Sequence, residues 1–406
     1  MDVDDHARTI GRRLREIRHW RGKSLRVVAE LAGISESYLS RIERGDRVVD
    51  RRSLVEALAA ALEVAPGELT GAHELTSAQG MGDAHAAVVA LRVALADNAL
   101  DDPADEPSRP WHELAATLHR VNSELRPAAD YAGMGLVLPG LITDLHAIAA
   151  SEPIHRCDAL HGLLDVYTAA TFTAKQLGEP DLAALAAMHA RAAAAELESP
   201  AHTALAEYLR AQAVSSPARA RSLALATRAA DHVAPLVGTD SDAAEAYGIL
   251  HLTCALNAAA LQRPAESADH QAEAADVAAW VGAGRNFGHQ GFGLPNVAFW
   301  TVHLAMERGE GSKVGELARD IDPTAVKSRS RRAAFYSDLG RGLATERACR
   351  QEAVAALRTA EQLAPQRVRA NPFVREVVVD LVRRARRDAI GRELRGMAYR
   401  MGVGVG

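Results

Sequence analysis

Between Ser24 and Arg44 the chain reads SLRVVAELAGISESYLSRIER, two short amphipathic stretches joined across Gly33, and this segment leaves few folding choices. Ser24 and Ser35 each stand where an N-cap is wanted, because a serine oxygen can accept from an orphan amide of the first helical turn. Gly33 supplies a residue that enters a left-handed turn at little steric cost. The spacing predicts a helix with Val28, Ala29 and Leu31 inward, a tight turn, and a helix from Ser35 to about Arg44 with Leu39 and Ile42 inward. Ahead of them Ile10, Leu14 and Ile17 recur at helical spacing, which predicts a helix over about 7–21 ended by Gly22 and Lys23. Beyond them a fourth helix is predicted from Ser53 to Leu62 and a short fifth from Pro66 to about Leu69.

Glu36, Ser37, Ser40, Arg41 and Arg44 fall on the outer side of the third helix, at spacings of three, four and seven. An arginine there can fork onto guanine, a carboxylate can accept from the cytosine amino group, and a hydroxyl can serve either base. Ser24, Arg26 and Arg44 are placed to hold a phosphate backbone, and Tyr38 shares a face with Ile42, which suits packing as well as a phosphate contact. Solvated helix pairs that never meet nucleic acid show the same periodicity, so spacing alone leaves both readings open. Charge is informative here. From Arg8 to Arg52 there are 13 Lys or Arg against six Asp or Glu, whereas the whole chain carries a net charge of −5. A basic module on an acidic remainder is expected where one end alone touches phosphates.

The stretch SLRVVAELAGISESYLSRIERGDRVVDRRSLVEALAAALEVAPGELTG resembles the Cro and phage-repressor (XRE) family of five-helix domains, in its LAGISESYLSRIERG core and its LVEALAAALEVAPGEL ending. The resemblance implies a double-stranded DNA operator as partner and assigns DNA binding to Ser24, Arg26, Ser35, Glu36, Ser37, Tyr38, Ser40, Arg41 and Arg44. Where the family often has a phosphate-touching Gln, Leu25 stands here, which moves backbone contact to neighbours such as Arg26. Glu43, which the family retains, is assigned to an intradomain ion pair or cap.

A chain of 406 residues is too long for one compact helical core, so at least two folding units are expected. With 48% hydrophobic residues and only 4% aromatics, the interior must be built from Ala, Leu and Val, which predicts an all-α protein. The expected division is a helix-turn-helix domain over 1–70, a linker with one helix (from about Ala84 to Ala99) over 71–110, and a helical-repeat domain over 111–406. GAHELTSAQGMGD and DDPADEPSRP read as exposed connections, and further helices between Trp111 and Ala150 are expected to break at Pro127 and at Pro139–Gly140. From Arg156, turns at LGEPD, ESPA, SSPA, VGTDSD, QRPAE, RGEGS, DPT and APQ recur mostly about 18 to 25 residues apart, the rhythm of helix pairs. In EAVAALRTAEQLAP, Ala353, Leu357, Ala360 and Pro365 match the small, bulky, small and terminating positions of a tetratricopeptide repeat, and Tyr167, Gly178, Ala183 and Ala190 match more loosely. These segments resemble the divergent tetratricopeptide-like domains of actinobacterial XRE regulators, which implies a helical superhelix that dimerises and holds a peptide or small molecule in its concave face.

GRNFGHQGFGLPNVAFW interrupts the helical pattern with four glycines and gathers scarce aromatics, so Phe292, Asn296, Trp300 and His303 are candidate ligand contacts, with Tyr167, Arg191 and Asn257 as further ones. A structural elbow packed by its own aromatics is the alternative. The arginines from Arg375 to Arg400 alternate with apolar residues as on solvated terminal helices, with a second DNA contact as the alternative. No HExxH, GxSxG or P-loop pattern occurs, and Cys157, Cys254 and Cys349 lack metal-ligand spacing. They read as small core residues. The expectation is therefore a cytoplasmic regulator and homodimer, without enzymatic activity, cofactor, metal, or membrane segment. An interaction scaffold with a helix-turn-helix not used for DNA remains the alternative.

Overall fold

Capping and apolar periodicity set the first elements of the computed structural model, which describes residues 9–71, 82–102, 109–214, 218–282, 285–385 and 390–403. Every regular element among them is helical. The predicted connections at 71–83 and 101–110 lie largely outside the described residues. The head contains α1 (Ile10–Trp20), α2 (Leu25–Leu31), α3 (Glu36–Glu43), α4 (Arg52–Leu62) and α5 (Pro66–Thr70). Thr9, Ser24 and Ser35 each accept from a first-turn amide, of Arg12, Val27 and Tyr38 respectively. Gly33 takes φ +67° between α2 and α3. Ile10, Leu14, Val28, Ala29, Leu39, Ile42, Leu54, Leu58 and Leu62 form the head core. Leu31 does not join them and is 62% exposed. At 100° per residue it lies about 110° from the centre of the stripe that Leu25, Val28, Ala29 and Ala32 turn inward.

The next helices are α6 (Gly82–Asp97), α7 (Trp111–Arg120), α8 (Arg126–Ala128), α9 (Tyr131–Ser151), α10 (Arg156–Gln176), α11 (Pro180–Glu196), α12 (Pro200–Ala213), α13 (Arg219–Val233), α14 (Ser241–Ala260), α15 (Pro264–Val281) and α16 (Leu294–Glu307). Pro180, Pro200 and Pro264 open their helices, where the missing N–H costs nothing and φ is already set. From α9 to α15 each helix packs on the next, and α12 also touches both α10 and α14, so alternate helices form an inner row. Ala183, Ala186 and Ala190 are fully buried, and their small side chains permit close helix approach. Pro139 does not interrupt α9, contrary to expectation, because Leu138, Leu141 and Ile142 on either side of it are buried. This helix is long and apolar enough by length and composition to cross a bilayer, a property the sequence reading had not found in any segment. It packs on α7 and α10 and buries Met134, Leu145 and Ile148.

The remaining helices are α17 (Val314–Leu317), α18 (Arg329–Leu343), α19 (Arg350–Leu363), α20 (Pro365–Arg369), α21 (Pro372–Arg384) and α22 (Ile390–Arg400). Ala353, Leu357 and Ala360 are fully buried on α19, and Pro365 opens α20. The compact units are not contiguous in sequence, unlike the linear division at 70 and 110. One comprises residues 1–82, 302–320 and 333–406, and the other 83–301 and 321–332. Within the first unit α21 completes the head. Phe373 enters the head core, and the Glu376 carboxylate accepts from the Ile10 amide at 2.8 Å. The Arg341 guanidinium donates to the Asp50 carbonyl and to Asp338, and lies 5.1 Å from the Phe373 ring. The arginine-rich end is only partly a solvated face, since Arg369 and Arg400 both hold the buried Glu361. Of the cysteines only Cys254 is buried. Cys157 is exposed and Cys349 half-buried, each near the solvent-facing start of its helix.

Replacing Phe373 by Ala empties an aromatic site in the head core, a change that costs about 3–5 kcal/mol in well-packed interiors. Urea denaturation followed by far-UV circular dichroism should show unfolding at lower denaturant, although the substitution lies on a helix near the other end of the chain.

Candidate nucleic-acid interface

Helix α3 is fixed from three sides before it can present anything. Leu39 and Ile42 anchor it to the core, Ser35 caps its entry at 3.2 Å from the Tyr38 amide, and Gly11 lets α1 touch its last turn. A Cβ at Gly11 would stand 2.1 Å from the Ile42 carbonyl oxygen, so no larger residue fits without moving α1. Glu43 points inward and forms a two-pronged ion pair with Arg18, at 2.6 and 2.7 Å. Both side chains are nearly buried, at 9% and 5% exposure, and the hydrogen bond to Glu43 raises the Arg18 pKa against the opposing effect of burial. The assignment of Glu43 to an intradomain pair matches this geometry. Its partner Arg18 stands on α1.

On the outer side Glu36, Ser37 and Arg41 are exposed and Ser40 is half-buried. Arg41 makes no side-chain hydrogen bond or ion pair among the described residues, so all five guanidinium donors are open to a base edge. Arg44, the C-cap, bonds Asp46 at 2.9 Å on the surface. Tyr38 is half-buried against the head core, with the Arg47 guanidinium 6.0 Å from its ring. Packing therefore claims its ring. Ser24 and Ser35 are exposed and spend an oxygen lone pair on capping, Arg26 is exposed on α2, and Leu25 is half-buried against the core. The nine residues assigned to DNA thus comprise an outward set of Glu36, Ser37, Ser40 and Arg41, with Arg26 and Arg44 beside it, and three whose geometry is dominated by caps and packing.

Several ligand candidates in the body are committed to packing or hydrogen bonds of their own. Tyr167 is 1% exposed, hydrogen-bonded to His146 at 2.6 Å and stacked on His189. Burial pushes His146 down to about 4 and the Tyr167 phenol up, so this is a neutral core pair. Arg191 is exposed and pairs with Glu207 at 3.3 Å. Asn257 is buried and donates to Ser222 and the Thr253 carbonyl. Phe292 packs flat against α14, where a Cβ at Gly248 would stand 2.0 Å from its ring. Asn296 is buried and Trp300 half-buried, whereas His303 belongs to the first unit and bonds Asp338 at 2.8 Å.

The second unit gathers a different polar cluster, from residues that sequence reading passed over. Arg126 donates to Asn122 at 2.9 Å, Asn122 donates to Asp165 at 2.8 Å, and His289 of the glycine-rich loop lies 3.5 Å from Asp165. Arg331 hydrogen-bonds the Tyr208 hydroxyl. Burial lowers the Arg126 pKa, Asp165 and Tyr208 oppose that shift, and Arg331 adds to it. No motif connects positions 122, 126, 165, 208, 289 and 331, so only folding makes the cluster visible.

Residues 9–72 match the helix-turn-helix domain family. No curated protein and no solved structure is significantly similar to the chain. The head is accordingly a helix-turn-helix domain, a class of module that binds DNA, in an otherwise helical chain.

Two measurements follow from the buried charges. Arg18→Ala leaves Glu43 unpaired in the core, and breaking a buried pair in this way costs about 3–5 kcal/mol, to be read as a lower denaturation midpoint. Glu376 has its pKa raised to about 7 by burial, against the Ile10 amide and Arg13, Arg383 and Arg375, which lower it. In the unfolded chain the same carboxyl titrates near 4.5, so the folded state holds its proton more tightly. The stability this adds is complete below about 4.5 and is lost as pH rises through about 7. The difference in midpoint between the parent and Glu376→Gln should change across that window, and a difference independent of pH would contradict the assignment.

Proposed function

We propose that the chain is a sequence-specific DNA-binding transcriptional regulator rather than an enzyme, that it acts as a homodimer, and that its tetratricopeptide-like body senses a small ligand or peptide. The observation that carries the DNA reading is the division of labour on α3. Leu39, Ile42 and Glu43 are committed inward, while Glu36, Ser37 and Arg41 stand exposed with their hydrogen-bonding capacity unspent. Reading base edges from a helix in the major groove requires that arrangement. Two such helices on a dimer meet half-sites about 34 Å apart on a near-palindromic operator.

Exposed Val89 and Val93, one helical turn apart on α6, support a surface that a second copy covers. The cluster around Arg126, Asp165 and Arg331 supports a polar ligand in the second unit, since the Arg126 guanidinium there is flanked by both the Asp165 carboxylate and the Arg331 guanidinium. Such a ligand would regulate by binding one body conformation more tightly than another.

Footprinting of the full chain should reveal a short symmetric site, bound with an affinity that falls steeply with salt. Arg41→Ala should lose about 1–3 kcal/mol of discrimination at one base pair while partner-protein binding by the body is unaffected. Binding indifferent to both salt and sequence would defeat the proposal and favour the scaffold reading.

A further inference from the structure

The DNA-facing stripe of α3 runs out at Arg44, and what lies beside its exit comes from the far end of the chain. Ser40, Arg41 and Arg44 stand three, four and seven residues beyond Ser37 along that helix. At 1.5 Å per residue, Ser37 and Arg44 stand about 10 Å apart along the axis. The major groove is about 12 Å wide, so a helix with its first turn over base edges has its exit at the phosphate-lined wall.

The exit turn has consumed its own amides. Arg44 N–H donates to the Ser40 carbonyl, Gly45 N–H to that of Ile42, and the amides of Asp46 and Arg47 both donate to Arg41. An anion alongside can therefore be met only by side chains. Of the cations in the turn, Arg44 is held on Asp46 and Arg47 lies over the Tyr38 ring.

A further cation is delivered there by α21. Gly45 has φ +77°, and a Cβ built on it would stand 2.8 Å from an Nη of Arg383. The placement is not accidental to a loose surface helix, because the same α21 is locked to the head by Phe373 in the core and by Glu376 on the Ile10 amide. Arg383 is exposed and makes no hydrogen bond or ion pair among the described residues. The acids nearest it on its own helix are occupied, Asp380 by Arg384 at 2.9 Å and Glu376 by the Ile10 amide. An exposed guanidinium with open donors, pinned against the exit of the recognition helix, has the chemistry of a phosphate clamp.

We propose that Arg383 is part of the DNA-binding surface and contacts a backbone phosphate at the exit of α3, so that the interface is assembled from both ends of the chain. This rests on the DNA-binding reading of the head and adds to it a phosphate contact outside the helix-turn-helix domain. A phosphate contact positions without specifying, so its loss must weaken all sequences alike.

The test uses the full-length chain and its footprinted operator, with an unrelated duplex of equal length, titrated at several salt concentrations. Arg383→Ala should weaken binding to both duplexes about five- to tenfold at physiological salt and lower the slope of log K against log salt by about one. Arg383→Lys should keep the slope, and Arg383→Glu should weaken binding further than Ala does. Thermal midpoints recorded for each variant separate this from damage to the fold, since Arg383 makes no hydrogen bond or ion pair among the described residues and should move them only slightly, through its charge near Glu376 and Asp380. If the parent binds with steep salt dependence and Arg383→Ala matches its slope and affinity, the contact does not exist. If the parent itself shows no salt-dependent binding, the DNA-binding reading has failed instead. A loss confined to the specific operator would assign Arg383 to base reading and overturn the phosphate role.

Discussion

The amide of Ile10 opens the first helix of the chain, and the group that satisfies it is the carboxylate of Glu376, 366 residues away in sequence. A helix start leaves orphan N–H groups, and an oxygen of the Glu376 carboxyl answers one of them. Thr9 caps the same helix through the Arg12 amide, so the two acceptors divide the first turn between them. Once Glu376 is there, the rest of α21 is placed. Phe373 falls into a core otherwise made of aliphatic side chains, and Arg383 falls beside Gly45. The recognition helix depends on the same anchor indirectly, because α1 presses on its last turn through Gly11 and holds Glu43 through Arg18. The helix-turn-helix domain therefore belongs to one compact unit with residues 302–320 and 333–406.

What was legible in the sequence was what local rules determine. Ser24 and Ser35 cap because the first turn of any helix wants an oxygen there, and Gly33 turns because φ +67° is cheap only for glycine. Leu39 and Ile42 are buried because three-residue spacing puts them on one face. Leu31 shows the limit of that rule. Its spacing from Val28 is helical, but the stripe that tertiary packing selected is centred on the other side of Val28, and nothing within α2 records which side that is. Phe373 and Glu376 were invisible for a stronger reason. Their partners lie hundreds of residues upstream, and no periodicity spans such a distance.

The aromatics among the ligand candidates have a packing role that follows from the composition of the helices. In a stack of Ala-rich helices most crossings are narrow, and the few wide ones must be filled by large side chains. Phe292 fills one over Gly248, and Tyr167 fills another between His146 and His189. Scarce aromatics in such a chain can thus be explained by packing alone. Polar residues facing a crowded interior are the better signal, and the ones that meet, Asn122, Arg126, Asp165 and Arg331, come from three separated stretches. The glycine-rich loop that drew notice was still relevant, since it brings His289 to Asp165 and the Phe287 amide to the buried Glu245.

A net charge of −5 is no obstacle to DNA binding by this chain, because the relevant quantity is local. At physiological ionic strength the Debye length is about 8 Å, so acidic residues further than that from a phosphate contribute little repulsion. Near α3, Glu43 is spent on Arg18 and Asp46 on Arg44, which leaves Glu36, the acid placed to meet a base edge, exposed on the helix. Each of those pairs lowers the negative potential without removing the side chains that hold the helix in place. The excess acid elsewhere has a consequence of its own. It leaves basic character concentrated at the head, so that non-specific attraction to DNA acts through the surface that carries α3 and presents the reading helix first.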